Sequence, residues 1–161
     1  MIYATVGTLF LDFPRLVNAL DKIAIESGEQ IVVQTGLGTT LPRHCEHFDF
    51  KSRGDVLAIQ RDARVIVTHG GIGSILDALN VRRPLVVVPR LKKFKEHLDD
   101  HQLDVAAMVE KRGWGRMICD MDDLAAVLTA PPPVPTDYQP GKHRLVQAIQ
   151  DKIERVAALR R

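Results

Sequence analysis

The stretch Val65–Leu79, "VIVTHGGIGSILDAL", decides the fold. It begins as an apolar, β-branched run that reads as a buried strand, then passes through His69, Gly70 and Gly71. A third glycine follows at Gly73, and from Ser74 the apolar residues fall at helical spacing. A strand running straight through so flexible a turn into a helix has two explanations. The turn is only a tight connection, or its backbone is kept bare to receive a ligand such as a phosphate.

Working outward, the same alternation recurs on both sides. "MIYATVG" reads as a strand, and Phe13, Leu16, Val17, Leu20, Ile23 and Ala24 place a helix over about Asp12 to Glu26, ended by Gly28. "QIVVQTG" is a second strand, and an apolar piece at Phe48–Phe50 is ambiguous. Asp55–Arg61 reads as a helix, "RVIVTH" as a strand, and a helix runs on from about Ser74. "PLVVVP" is a strand, Glu96–Lys111 a helix, "GRMIC" a short strand and Asp122–Thr129 a short helix. Strands that are nearly all apolar must be covered on both faces, so residues 1–130 are predicted to form a single Rossmann-like α/β domain, a doubly wound parallel sheet. Ligands of such sheets bind beyond the carboxyl ends of the strands. Gly7 and Thr8, Gly36, Gly70 and Gly71, and the loop after Pro89 all belong to that edge.

"PPPVPTDYQPG", Pro131–Gly141, is too rich in proline for a helix or a central strand and reads as a stiff, extended crossing. Beyond it, residues 142–161 carry Leu145, Ile149, Ile153, Val156 and Ala157 on one face of an amphipathic helix. The chain of 161 residues is long enough for one well-packed domain. Its net charge of +2 and aromatic content of 5% argue against nucleic acid as a partner. Cys45 and Cys119 have no metal-ligand spacing and are expected to be reduced thiols. No apolar run is long enough to span a bilayer, which favours a cytoplasmic protein. The basic run "RLKKFK", Arg90–Lys95, could face anionic lipid or a diphosphate, though solvated lysines explain it as well.

The chemistry concentrates in two places. Glycines at 70, 71 and 73 permit close backbone approach and positive φ, and the free amides that open the next helix suit a pyrophosphate. His69 is placed to donate to a phosphate oxygen, and Asp77, one turn after Ser74, to accept from ribose hydroxyls. The structural alternative is that Ser74 and Asp77 form a capping box and the glycines a plain turn; on the turn alone the two readings are balanced. The second place is "EHLDDHQLDVA", where Glu96 and Asp99 fit as partners of the helix dipole but His101 and Gln102 are not called for. Carboxylate, imidazole and carboxamide together make a surface that can read sugar hydroxyls.

With these residues in view the chain resembles the glycosyltransferases of GT-B type that use UDP-sugars. "TVGTLFLDFPRLVNALD" and "HGGIGSILDALNVRRPLVVVPRLKKFKEHLDDHQLDVA" resemble the small proteins equivalent to a glycosyltransferase family 28 C-terminal domain. The resemblance covers nearly the whole chain and implies the C-terminal half of a GT-B enzyme. It implies that Gly7 and Thr8 lie beside the donor diphosphate, and that His69, Gly70, Gly71, Gly73 and Ser74 form the diphosphate turn. Asp77 stands where the family usually has a glutamate for the ribose. Gln102 matches the residue that reads the donor sugar, with Asp100 and His101 beside it, and Phe50 and Lys51 approximate the loop bordering the uracil.

The activity implied is inverting transfer from a UDP-sugar, with no cofactor and no metal; "DMDD", Asp120–Asp123, reads as capping. A GT-B enzyme has a second domain that holds the acceptor and the usual catalytic base, so this chain is expected to be half of a two-component enzyme. Its own general base is unassigned, with His97 and His101 as candidates. The partner implied is a membrane-anchored subunit that binds a polyprenyl-linked acceptor in exopolysaccharide or glycolipid synthesis and docks the C-terminal helix, leaving this chain peripheral to the membrane. The alternatives are a noncatalytic nucleotide-sugar-binding module, a self-contained UDP-sugar epimerase or hydrolase, and a scaffold subunit without a ligand.

Overall fold

The computed structural model describes residues 1–139. Six parallel strands form one sheet in the order β3-β2-β1-β4-β5-β6: β1 (Ile2–Thr5), β2 (Ile31–Gln34), β3 (Glu46–Phe48), β4 (Val65–Thr68), β5 (Leu85–Val87) and β6 (Arg116–Met117). Side chains alternate across the sheet and sort the core into two layers. Ile2 and Ala4, Ile31 and Val33, and Val65 and Val67 face α1 (Pro14–Ser27) and α5 (Leu124–Thr129). Tyr3, Ile66, Leu85 and Val87 face α3 (Ile72–Asn80) and α4 (His101–Lys111), with α2 (Arg53–Asp62) at the margin through Val56 and Ile59. The expected doubly wound parallel sheet is the fold observed.

The strand order reverses beside β1, because β1 leads through α1 to β2 on one side while β4 leads through α3 to β5 on the other. A crevice opens where the two loops part to opposite faces. The register decides which residues line it: Thr5 pairs with Thr68, and the His69 amide donates to the Thr5 carbonyl at 3.2 Å. Gly7 and the His69–Gly71 turn therefore emerge side by side. Local signals fix the helices that flank the crevice. Pro14 opens α1, where its missing N–H is not needed, and Gly28 closes it with φ 65°. Leu16, Val17, Leu20 and Ile23 of α1 are buried, each contributing about 1.5–3 kcal/mol by leaving water.

Three boundary differences from the sequence reading bear on the site. The ambiguous piece at Phe48–Phe50 supplies the end of β3, which runs from Glu46 to Phe48. Helix α3 begins at Ile72 rather than Ser74. Helix α4 begins at His101, not Glu96, because the preceding residues are held elsewhere. Lys95 takes φ 58° after a short 3-10 turn, and the Glu96 carboxylate accepts from the Leu91 amide and from Arg15, so a helix cannot start there. The "DMDD" segment does cap: the Asp120 side chain accepts from the Asp122 amide at 3.1 Å and opens the turn leading into α5.

Residues 131–139 carry no helix or strand and run over the α3–α4 layer. Trp114 Nε1 donates to Asp137 at 2.9 Å, the Tyr138 ring meets that of Trp114 edge-on at 5.6 Å, and Tyr138 bonds Asn80. The end of the proline-rich crossing and the amphipathic helix read at 142–161 lie outside the described residues.

Candidate functional site

The glycines at the crevice answer to different demands. Gly7 and Gly36 take positive φ, 83° and 57°, and their backbones touch: a Cβ on Gly36 would lie 2.2 Å from the Gly7 carbonyl oxygen. Gly70, Gly71 and Gly73 do not take positive φ, contrary to that part of the sequence reading. Gly70 is there for packing, since its Cβ would fall 2.6 Å from Gln102 Cβ and 2.7 Å from the Gln102 carbonyl. Gly71 is there for His69, whose Nε2 would be 2.2 Å from a Cβ. Gly73 alone meets nothing within 4 Å, so its face opens onto space.

That open face lies on the first turn of α3. The helix has Gly71 at its N-cap and no side-chain cap, and its first intrahelical bond runs from the Ile75 amide to the Gly71 carbonyl. The amides of Ile72, Gly73 and Ser74 precede that bond and point their partial positive charge into the crevice. Ser74 is the third residue of the helix, so the capping box read from Ser74 and Asp77 does not form. Asp77 pairs instead with Arg53 at 2.7 Å, an ion pair whose arginine is well exposed. Such a pair is worth about 0–1 kcal/mol and yields readily to a better partner.

His69 is wedged between Gly7 and Gly71. Burial, reinforced by the charge of Arg90, brings its pKa down to about 4, so the ring is neutral at physiological pH. Among the described residues its buried Nδ1 has no hydrogen-bond partner. Toward an anion it offers a neutral N–H dipole, not a full charge.

Behind the crevice the polar residues are bound into one framework. Gln102, 4% exposed, accepts with Oε1 from the amides of both Gly70 and Arg90, each at 3.1 Å. Two donors at one atom fix the carboxamide orientation and leave its NH2 as the group available to a ligand. Arg90, fully buried, donates to the carbonyls of Val6, Leu11, Asp12 and Glu96, and its guanidinium stacks over Phe13 at 4.8 Å. Burial lowers its pKa to about 10, with Glu96 and Asp12 opposing, so it stays cationic. Glu96, 1% exposed, takes two bonds from Arg15 at 2.9–3.0 Å. Asp12 accepts from the amides of Thr39 and Thr40, sewing the β1–α1 loop to the β2–β3 loop.

Arg90 and Glu96 thus leave the roles read for them. Arg90 does not belong to the exposed basic run, and Glu96 is no dipole partner of α4. Arg15, Asp12 and Arg90 were missed as shapers of the site. The only hint was a charge set directly after an apolar strand, in "VVVPR".

The other candidates fall around the rim. Thr8 is exposed beside Gly7. Asp100 is the N-cap residue of α4 and accepts from the Lys92 amide at 2.8 Å. His97, Asp99 and His101 converge: Asp99 Oδ1 bonds His101 Nδ1 and lies 3.4 Å from His97 Nδ1. Phe50 and Lys51 follow β3. Lys51 Nζ sits 5.1 Å over the Phe48 ring and lines a cavity of about 590 Å³ with Met1, Gln30 and Ile59, which does not include the glycine turn.

The glycosyltransferase family 28 C-terminal domain matches residues 1–131 of this chain. An NDP-glycosyltransferase YjiC of Bacillus licheniformis is 27% identical over 93% of this chain and 36% of its own. The UDP-N-acetylglucosamine transferase subunit ALG13 of Eremothecium gossypii is 35% identical over 56% of this chain and 46% of its own. The chain therefore spans less than half the length of either relative. An NMR structure of ALG13 superposes with a TM-score of 0.59 at 21% identity, over 89% of this chain and 93% of that one. The sheet described above is the Rossmann-like C-terminal fold of GT-B glycosyltransferases, and the chain belongs to the glycosyltransferase family 28 C-terminal domain family.

Proposed function

We propose that the chain is the donor-binding, catalytic half of an inverting two-component glycosyltransferase. It takes a UDP-sugar, and a membrane-anchored second subunit presents a polyprenyl-linked acceptor for exopolysaccharide or glycolipid synthesis. The observation that carries this reading is the uncapped first turn of α3, bare at Gly73 and flanked by His69 and the Gly7 loop. A diphosphate on that turn supplies the acceptors that the amides of Ile72, Gly73 and Ser74 lack. Asp77 exchanges Arg53 for the ribose hydroxyls, and the Gln102 NH2 donates to the sugar.

In the transfer, an acceptor hydroxyl attacks the anomeric carbon while UDP departs from the opposite side. Negative charge grows on the departing phosphate oxygen, where the helix amides and the neutral N–H of His69 oppose it without moving. The general base comes from the second half.

A second half is supported by what this edge leaves exposed. Phe10, Leu37, Leu41, Phe50, Phe94 and Leu98 all sit on loops at the carboxyl ends of the strands. Exposed apolar side chains gathered round a crevice mark a covered surface. Among the described residues no helix is long and apolar enough to cross a membrane, which leaves anchoring to the partner in this reading.

Calorimetric titration of UDP, UDP-glucose, UDP-glucuronate and UDP-N-acetylglucosamine into the purified chain tests the site. UDP should bind, and Gln102→Glu, which keeps the oxygen that holds Gly70 and Arg90 but removes the NH2, should lose discrimination among the sugars. Transfer should require the second subunit. Turnover by the chain alone, or UDP binding without transfer under any pairing, would overturn the two-component reading.

A further inference from the structure

We propose that His97, Asp99 and His101 bind one divalent transition-metal ion, zinc by chemical preference, at the junction of the β5–α4 loop with α4. The inference does not rest on the transferase reading. One ligand atom from each of His97, Asp99 and His101 lies within 4.8 Å of the other two, and the two rings meet edge-on at 4.5 Å. Two nitrogens and one carboxylate oxygen form a ligand set that favours zinc, cobalt or nickel over magnesium or calcium. Bonds of about 2.0–2.2 Å around a tetrahedral ion put neighbouring ligand atoms about 3.3–3.5 Å apart. The His97–Asp99 separation, 3.4 Å, already meets that edge; His101 must draw back from Asp99 and settle against His97 to complete the set.

The Asp99 carboxylate oxygen bonds His101 Nδ1 and faces His97 Nδ1 at 3.4 Å, and the Asp99 amide reaches His97 Nδ1 only at 3.4 Å, so the ligand atoms of the three residues turn toward one shared point. The site is accessible, since Asp99 and His101 are each 38% exposed and His97 14%. Three protein ligands leave the fourth position for water or a ligand of the crevice. The ion would clip the loop to the first turn of α4, one residue from Gln102.

Zinc and cobalt chlorides titrated into the full chain by calorimetry and visible absorption test the proposal. Saturable binding of one ion per chain is expected, with intense cobalt bands of tetrahedral type and a rise in Tm that EDTA reverses. His97→Ala and Asp99→Asn should each weaken binding at least about tenfold, while the His44→Ala/His47→Ala double variant binds as the parent does. Circular dichroism without metal checks that each variant is folded. Should one not fold, zinc-induced shifts of the His97 and His101 ring signals in the unaltered chain give the same answer. Absence of saturable binding, survival of binding in both variants, or its loss in the His44/His47 pair would overturn the assignment.

Discussion

Gly70 and Gly73 lie three residues apart in one turn, and a methyl group added to each would meet opposite surroundings. At Gly70 it runs into the Gln102 backbone and side chain, so Gly70→Ala should lower stability by about 1–3 kcal/mol through overpacking. At Gly73 it meets only open space inside a helix, so Gly73→Ala should leave stability unchanged or raise it by up to about 1 kcal/mol. The same methyl stands where the diphosphate is proposed to rest, and UDP affinity should fall sharply. Urea unfolding and UDP titration of the pair measure both effects; undiminished UDP binding by Gly73→Ala would move the diphosphate off α3. His69 makes a separate expectation. Its pKa is about 4 folded and near 6.5 unfolded, so as pH falls through 6.5 the unfolded chain takes up a proton that the folded one refuses. Stability conferred by the neutral ring is complete above that value and declines by roughly 3 kcal/mol down to pH 4. Denaturation midpoints compared at neutral pH and near pH 4.5 should show the decline, and His69→Gln should lose that share of it.

At the scale of elements, α2 and α3 start in contrasting ways. Ser52 caps α2 by accepting from the Asp55 amide and donating to its carboxylate, so Ser52→Ala should reduce stability by about 1 kcal/mol without touching UDP affinity. Thermal melts with and without UDP separate the two effects. Helix α3 has no such cap, and any gain in its stability should come from an anion. Most of the element order was legible because apolar runs and helical spacing report directly on what the sheet and its layers bury. The start of α4 was not, because Glu96 looks like a first-turn carboxylate until Arg15, 81 residues earlier, reaches it. The glycine turn was legible as a turn, but not why each glycine is there. Positive φ and close approach both require glycine, and the neighbour that decides for Gly70 lies 32 residues on. Arg90 hid for the same reason, its acceptors being carbonyls of a distant loop. Arg90→Ala strands those carbonyls and should reduce stability by about 3–5 kcal/mol, measured by chemical denaturation.

For the whole molecule, the question is what closes the edge where the loops gather. Replacing Phe94 and Leu98, both exposed and on the β5–α4 loop, by aspartate should leave Tm and UDP binding unchanged. It should abolish association with the proposed acceptor-binding subunit, read by co-purification. Retained association would place the partner on another face. The C-terminal helix read from Leu145, Ile149, Ile153 and Val156 is the other docking element proposed, and removing residues 142–161, which spares the Asp137 and Tyr138 contacts, tests it independently.

One carboxamide oxygen receives amides from the ends of two adjacent strands, and the nitrogen of the same group is the one proposed to meet the sugar. Under the proposed donor site, recognition of the hexose and grip on the pyrophosphate both depend on a single rigid hinge-pin. A lineage that gave up that oxygen to change its preferred sugar would disturb its hold on every nucleotide at once, so changes of donor should arise from the surrounding rim or from a swap that keeps the oxygen.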